Sequence, residues 1–319
     1  MRKHCRLTPL QSDEGGTLAF ERHVSRKEVR CKPLCDAHAE HNMKWQEFVP
    51  PILLTFVRNM RPYRPGEPLY ASYADALAAC HGGYEDTQLI RTVYEKTRIY
   101  RDRLASQEPR VCDLNALRIL GGLRLAVTKP DVTVLDFGGA CGAHYFLASA
   151  LLGDRVRFRW HVIETAPMVA VAQGLADGHV QFFESVLQAT AGLETIDVVF
   201  SSGALQYVPD PYATLTELTQ CGATALFLTR LGLTRQQTAC ITMQTSTLST
   251  NGPGALPKGM PEGPVQYPLV IPSQEKVEEI IQRNYSLDIR FEEEKHAYSV
   301  GNMGIDMYGY FATRRKDDT

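Results

Sequence analysis

The chain has 319 residues, of which 44% are hydrophobic and 22% are charged, a composition that supports a large buried core and argues against wholesale disorder. The formal net charge of −2 provides no global field to attract nucleic acid, so we expect no general nucleic-acid binding. No apolar run reaches the roughly 18 residues of a membrane-spanning helix, and the basic start lacks the apolar segment of a signal peptide. We therefore expect a cytoplasmic protein with reduced cysteines.

Residues 1–42 differ in composition from the rest and are predicted to be a disordered tail or an extension ahead of the native start. The metal-binding side chains in this stretch are Cys31, Cys35, His38 and His41. Their spacing would put all four on one helix face about 15 Å long, and one straight helix cannot wrap such a row around a single zinc ion. We therefore predict no metal site.

Residues 43–129 are predicted to form a helical N-terminal region. Apolar residues recur at helical spacing between 45 and 60, and this face could dock on the core or make a peripheral membrane contact. Three further helices are predicted over 72–80, 87–106 and 114–127.

From residue 130 to the end, short apolar runs alternate with helical stretches. The predicted strands are 132–137, 158–163, 180–183, 196–201 and 223–229, and the predicted helices are 144–152, 167–175 and 211–220. This alternation predicts an α/β domain with a parallel sheet covered by helices on both faces. Further helices and a terminal strand over 307–313 are expected to complete it.

The segment that is most informative about chemistry is the turn after the first predicted strand. Asp136 lies near the end of that strand, and Gly138, Gly139 and Gly142 follow. Glycines let the backbone approach a ligand closely, and a helix that begins there can face a polar ligand. Taken alone, the turn could also be a simple strand-to-helix connection.

A second acid, Glu164, ends the next predicted strand 22 residues after Gly142, a position that suits the two hydroxyls of a ribose. The glycine spacing does not fit the dinucleotide pattern G-x-G-x-x-G, because Ala140 or Cys141 stands at the third position. This opposes an NAD-dependent oxidoreductase. An acid beside the turn would repel a pyrophosphate but attract the ammonium and sulfonium groups of S-adenosylmethionine.

With these motifs, the chain from about residue 130 resembles the class I S-adenosylmethionine-dependent methyltransferases. From residue 43 onward it also resembles a bacterial subfamily of such proteins. Asp136, Gly138 and Gly142 match the first motif of the family, in which Ala140 replaces a glycine, and 196–211 resembles the fourth motif. The resemblance implies a Rossmann-like fold with a mostly parallel seven-stranded sheet, and S-adenosylmethionine as the cofactor.

The resemblance also implies roles for individual residues. Asp136 and the turn would hold the methionine end, Glu164 the ribose, Phe183 the adenine, and Ser202 with Gly203 the wall near the methyl group. The residues predicted to contact the cofactor are Asp136, Gly138, Gly139, Gly142, Glu164, Phe183, Ser202 and Gly203.

Three residues are candidates for a catalytic role. His144 follows the glycine turn and either faces the cofactor or meets only solvent. Tyr207 either contacts the substrate or packs internally. Arg230 ends a predicted strand and either binds an anionic substrate or forms a structural salt bridge. His296 is a weaker candidate for the base, because it follows a charged run, 292–295, that is expected to be a solvated face.

The predicted function is methyl transfer from S-adenosylmethionine to an acceptor that the sequence does not identify, either a glycan or a small-molecule hydroxyl. Class I folds methylate many kinds of molecule, so the fold does not define the acceptor. The alternative is a non-catalytic binding module with a methyltransferase fold.

Overall fold

The computed structural model describes residues 68–81, 83–106, 112–300 and 303–316. The predictions on residues 1–42 and on the apolar face between 45 and 60 lie outside these ranges. The strands are β1 (Asp131–Phe137), β2 (Arg157–Ile163), β3 (Val180–Phe183), β4 (Val198–Ser202), β5 (Ala225–Leu233), β6 (Cys240–Thr247), β7 (Pro264–Ile271), β8 (Tyr285–Val300) and β9 (Met303–Arg314).

The helices begin before the first strand and then alternate with the strands. They are α1 (Tyr73–Ala79), α2 (Thr87–Ala105), α3 (Leu114–Ala126), α4 (Ala143–Leu152), α5 (Ala166–Ala172), α6 (Val186–Thr190), α7 (Pro211–Gln220) and α8 (Gln274–Asn284). Short 3₁₀ helices lie at Gln173–Leu175, Leu205–Tyr207 and Leu248–Thr250. No helix in the described part of the chain is long and apolar enough to span a membrane.

Seven strands form one sheet in the order β3-β2-β1-β4-β5-β9-β8. Neighbours among β1 to β5 are parallel, whereas β9 is antiparallel to both β5 and β8. The predicted Rossmann-like α/β fold with a mostly parallel seven-stranded sheet is therefore confirmed. Because β1, β2, β4 and β5 run the same way, their carboxyl ends meet at one side of the sheet, called here the carboxyl edge.

Helices cover both faces of the sheet. Apolar residues of α2, α3, α4 and α5 share one core with Val134, Trp160 and Phe200 of the sheet. Residues of α6, α7 and α8 form the second core, with Leu135 and Val199. Alternate residues of each strand therefore face different cores, which is why the strands are almost continuously apolar.

Polar residues fix where several helices start. Asp86 Oδ1 accepts hydrogen bonds from the first-turn N–H groups of α2 at 2.8 and 3.0 Å, and Asp113 caps α3 in the same way. Asp210 caps α7, whose first residue is Pro211. Such caps contribute about 1 kcal/mol each, and proline is favoured at the first helical position.

The prediction of further helices after the fifth strand is wrong for most of that region. In the described residues it contains one α-helix, α8, and the short 3₁₀ helix Leu248–Thr250, together with the antiparallel β6–β7 hairpin and the long strand β8. The loop joining β6 to β7 is tied to α2 by Lys96, a buried side chain whose Nζ donates to the carbonyl oxygens of Ser249 and Asn251 at 2.6 and 2.5 Å. The hairpin also contacts α1 and the 3₁₀ helix Leu205–Tyr207.

Candidate functional site

The glycine turn between β1 and α4 is tightly packed. Gly138 has φ +71°, and its N–H donates to the Ile163 carbonyl at 2.9 Å. A Cβ on Gly138 would lie 2.1 Å from that of Ala204, and one on Gly139 would lie 2.4 Å from Asp136 Oδ2. Both positions therefore require glycine, because any side chain would displace its neighbours.

Asp136 lies beneath this turn with its carboxylate fully buried. Its Oδ2 accepts a hydrogen bond from Trp160 Nε1 at 3.0 Å and lies 3.2 Å from His144 Nδ1. Its Oδ1 has no hydrogen-bond partner among the described residues. Because an unpaired buried carboxylate oxygen is costly, this atom marks a place where a ligand could donate a hydrogen bond.

His144 is held by Asp136 and by a ring contact. Its imidazole lies edge-on to Phe200 with the ring centroids 5.0 Å apart, and its side chain is 18% exposed. When Nδ1 donates to Asp136, the neutral ring has its acceptor at Nε2. The carboxylate thus orients the imidazole in the way that it would orient a general base.

Glu164 directly follows β2, and its carboxyl group contacts the backbone of the same turn. Its Oε1 accepts from the Ala140 N–H at 2.9 Å and its Oε2 from the Thr165 N–H at 3.0 Å. Burial raises the pKa of Glu164 to about 7, the two backbone hydrogen bonds oppose this rise, and the charge of Asp136 adds to it. Two carboxyl groups therefore meet one glycine turn, and Glu164 adds negative charge there as the pH rises above about 7.

The other four predicted cofactor residues lie at or beside the ends of β3 and β4 and just before α4. Ser202, at the end of β4, is buried with its Oγ unpaired among the described residues, and Gly203 follows with φ +72°. Gly142 has φ +80° and is the N-cap residue that precedes α4. Phe183 ends β3 and packs against the His161 ring with the centroids 4.7 Å apart, in the core opposite to that of Trp160.

Tyr207 lies in a cluster of aromatic rings next to the carboxyl edge. Its ring stacks on Tyr84 with a centroid distance of 5.4 Å and meets Tyr267 edge-on at 5.2 Å. Its hydroxyl donates to Gln244 Oε1 at 2.9 Å and accepts from Gln206 Nε2 at 3.3 Å. Burial raises the pKa of Tyr207 to about 12, which opposes a role as base at neutral pH and favours the packing interpretation.

Arg230 lies within β5, close to its carboxyl end, where the pairing with β9 is interrupted by a bulge. Its backbone has φ +60°, and its N–H donates to Glu293 Oε1 at 2.8 Å. That glutamate also pairs with Arg118 of α3 and accepts from the Thr229 hydroxyl. The Glu293 side chain is only 4% exposed, so the expectation that residues 292–295 form a solvated face is wrong at this position.

Sequence reasoning missed several residues of this edge. Trp160 could have been found from strand register, since Asp136 pairs with Val162 and the residue two positions earlier shares its face. Tyr84, Tyr267 and Glu293 come from distant parts of the chain, and no local spacing points to them. The backbone of His296 lies in β8, but its side chain is outside what the structure describes. No group of three or more metal-ligating side chains occurs among the described residues.

Comparison with known proteins gives only weak likenesses. No family model and no curated protein matches the chain. Among solved structures it is similar to an amino pentose methyltransferase with bound SAM from Micromonospora echinaspora, at 17% identity and a TM-score of 0.40, over 70% of this chain and 97% of the other. An N-methyltransferase from Bradyrhizobium japonicum in complex with S-adenosyl-l-homocysteine is similar at 15% identity and a TM-score of 0.38, over 69% and 100%.

A third solved structure, an S-adenosylmethionine-dependent methyltransferase from Clostridium acetobutylicum, has 9% identity and a TM-score of 0.42, over 70% of this chain and 99% of the other. At such low identity and TM-score these likenesses identify neither a family nor a function. The function has to be inferred from the contacts of the chain's own residues.

Proposed function

We propose that the protein binds S-adenosylmethionine at the carboxyl edge and transfers its methyl group to a small-molecule acceptor. The observation that carries the proposal is the unpaired Oδ1 of Asp136, a fully buried carboxylate oxygen beside a turn that admits no side chain at Gly139. An ammonium group would supply the missing donor and offset the charge. The negative charge of Asp136, to which Glu164 adds when it is ionised, favours a cationic ligand over a dinucleotide.

The remaining residues of the edge fit the other parts of this cofactor. Glu164 uses one lone pair of each carboxylate oxygen on a backbone N–H, and each oxygen has a second one for a ribose hydroxyl. Gly138 and Gly142 give the backbone the room to approach the ligand. Ser202 has an unpaired hydroxyl on the same face as Asp136, two residues after the position that pairs with it.

Bound S-adenosylmethionine supplies a methyl group that is activated by its sulfonium. The chain then has to hold the acceptor in line with that group, exclude water and, for a hydroxyl acceptor, take up a proton. His144 is proposed for the proton, because Asp136 orients it through Nδ1 and Nε2 stays an acceptor. A small-molecule hydroxyl or a glycan suits this chemistry.

Isothermal titration calorimetry with S-adenosylhomocysteine tests the cofactor site. We expect the wild type to bind and Asp136→Asn to bind at least tenfold more weakly, since the amide halves the acceptor capacity and removes the charge. Asp131→Asn is the matched control, because Asp131 lies at the other end of the same strand with an exposed side chain paired to Arg157. Binding of NADH instead of S-adenosylhomocysteine would overturn the proposal.

Transfer is tested separately from binding. The protein is incubated with methyl-labelled S-adenosylmethionine and a fractionated bacterial lysate, and label in a small-molecule fraction is measured by mass spectrometry. Label in such a fraction that depends on His144 supports catalysis. Tight cofactor binding without transfer to any fraction would instead favour the non-catalytic binding module.

A further inference from the structure

The side chain of Arg230 is exposed at the carboxyl edge, and no described residue provides a counter-ion for it. No carboxylate of the described residues lies within 4.0 Å of its guanidinium, and no hydrogen bond from a described residue reaches it. The side chain extends past Gly203, where an added Cβ would lie 3.5 Å from Arg230 Cζ. The sequence analysis gave a structural salt bridge as the alternative role of Arg230. The described part of the chain contains no such salt bridge.

The backbone at Arg230 is held in a costly conformation. A non-glycine residue with φ +60° costs roughly 1–2 kcal/mol. The hydrogen bond from its N–H to the buried Glu293 carboxylate stabilises this conformation, and Arg118 fixes the carboxylate in turn. A bulge with an unusual φ turns a side chain away from the direction it would have in a regular strand. The contacts of Glu293 with Arg118 and with the Arg230 N–H therefore fix the direction of the Arg230 side chain.

The Arg230 side chain lies beside Gly203, four residues before Tyr207 of the aromatic cluster. Burial raises the pKa of Tyr84, Tyr207 and Tyr267, and the positive charge of Arg230 partly offsets the rise in all three. Tyr84 is also close enough to Glu164 for that carboxylate to act on its pKa. No described residue hydrogen-bonds to the Tyr84 hydroxyl, so among the described residues this hydroxyl and the Arg230 guanidinium are both donors without a partner.

We propose that Arg230 binds an anionic group of the methyl acceptor, so that the acceptor is a small molecule carrying a carboxylate or a phosphate. The proposal rests on the proposed function, since it concerns the second substrate of the same site. The planar guanidinium matches both oxyanions with two parallel hydrogen bonds. Opposite charges then separate the two ligands: carboxylates face the cationic cofactor, and the arginine faces the anionic acceptor.

The test measures the binding of simple probes to the full chain by ligand-observed NMR, with and without saturating S-adenosylhomocysteine. The probes are benzoate, phenyl phosphate and the neutral benzamide. We expect at least one anion to bind tenfold or more tightly than benzamide, and which anion is preferred distinguishes a carboxylate from a phosphate. Arg230→Gln should abolish the preference, whereas Arg159→Gln should keep it, because Arg159 is exposed on β2 away from the carboxyl edge.

A second variant, Arg230→Gly, tests whether a loss of anion binding in Arg230→Gln comes from misfolding. Arg230→Gly removes the side chain, and glycine accepts φ +60° without strain, so this variant should fold at least as well as the wild type. Equal binding of anions and benzamide to the wild type, or an anion preference that survives in both Arg230 variants, would overturn the inference. If the wild type does not bind S-adenosylhomocysteine, the proposed function is overturned instead. The preference for anions over benzamide can still be measured without that ligand.

Discussion

Glu164→Gln tests the candidate ribose contact, and its dependence on pH makes the test specific. The carboxylate accepts two backbone N–H groups, and burial raises its pKa from 4.5 to about 7. A shift of this size corresponds to about 3 kcal/mol between the protonated and ionised forms. The glutamine side chain has nearly the same shape but no charge, and its amide nitrogen cannot accept a hydrogen bond.

The first consequence concerns the stability of the protein without ligand. Because the folded pKa of Glu164 lies above the unfolded value, its protonated form favours folding. This contribution is complete below about pH 4.5 and is lost as the pH rises through about 7. Urea unfolding should therefore show that the free energy of unfolding of the wild type falls, relative to that of Glu164→Gln, by up to about 3 kcal/mol between pH 4.5 and 8. In Glu164→Gln one backbone N–H loses its acceptor oxygen. This loss should lower the free energy of unfolding of the variant by about 1–3 kcal/mol at every pH.

The second consequence concerns affinity. Ribose hydroxyls donate more strongly to an ionised carboxylate than to an amide, by about 1.5–3 kcal/mol for one charged hydrogen bond. At pH 8 we expect calorimetry to show S-adenosylhomocysteine binding about 10- to 100-fold more weakly to Glu164→Gln than to the wild type. At pH 5.5 the wild-type carboxyl is mostly protonated, so the ratio should narrow to about threefold. The titration of the ligand itself cancels in this ratio. Equal affinities at pH 8, or a ratio that does not change with pH, would refute the assignment of Glu164 to the ribose.

Three further predictions concern packing and charge at the same edge. Gly139→Ala should lower the free energy of unfolding by about 1–3 kcal/mol and weaken S-adenosylhomocysteine binding, because the added Cβ meets a buried carboxylate. In the control Gly121→Ala the added Cβ meets nothing within 4 Å, so this variant should be about 0.5–1 kcal/mol more stable than the wild type. Equal urea midpoints of the two variants would contradict this prediction. Arg118→Gln should cost about 3 kcal/mol in urea unfolding because the buried Glu293 loses its cation, and a loss below 1 kcal/mol would be inconsistent with that ion pair. Tyr207→Phe should cost about 1 kcal/mol and lower the rate of labelled methyl transfer less than tenfold, since burial keeps this phenol protonated; a hundredfold loss would identify Tyr207 as catalytic.

The part of the fold that could be predicted from sequence is the part with strong apolar patterns. Strands β1 to β5 are buried on both faces and form apolar runs between turn residues, so their positions were found to within a few residues. Strands β6 and β8 could not be found in this way, and β7 was not predicted although most of its residues are apolar and buried. β6 is only half-buried and rich in threonine and serine, and β8 lies at the sheet edge and carries charged residues, as edge strands often do.

The same distinction holds for the candidate site. Asp136, the glycine turn and Glu164 are visible because one strand-turn-helix unit and the next strand carry them at readable spacings. Arg230 was singled out by its position at a strand end and by the resemblance to a bacterial subfamily, and the sequence did not identify its partner. Its actual backbone partner, Glu293, is 63 positions away and Arg118 is 175 positions from that glutamate, so only tertiary structure brings them together.

The two strained residues at the carboxyl edge are stabilised in the same way. Ala140 has φ +49°, and Arg230 has φ +60°. Each costs about 1–2 kcal/mol in this conformation, and each donates its N–H to the carboxylate of a glutamate, Glu164 or Glu293. A hydrogen bond to a charged group contributes about 1.5–3 kcal/mol, which is enough to offset the strain. One glutamate thereby fixes the proposed cofactor turn and the other the proposed acceptor arginine, so the positions where the backbone departs most from ordinary geometry are those where the two ligands would meet.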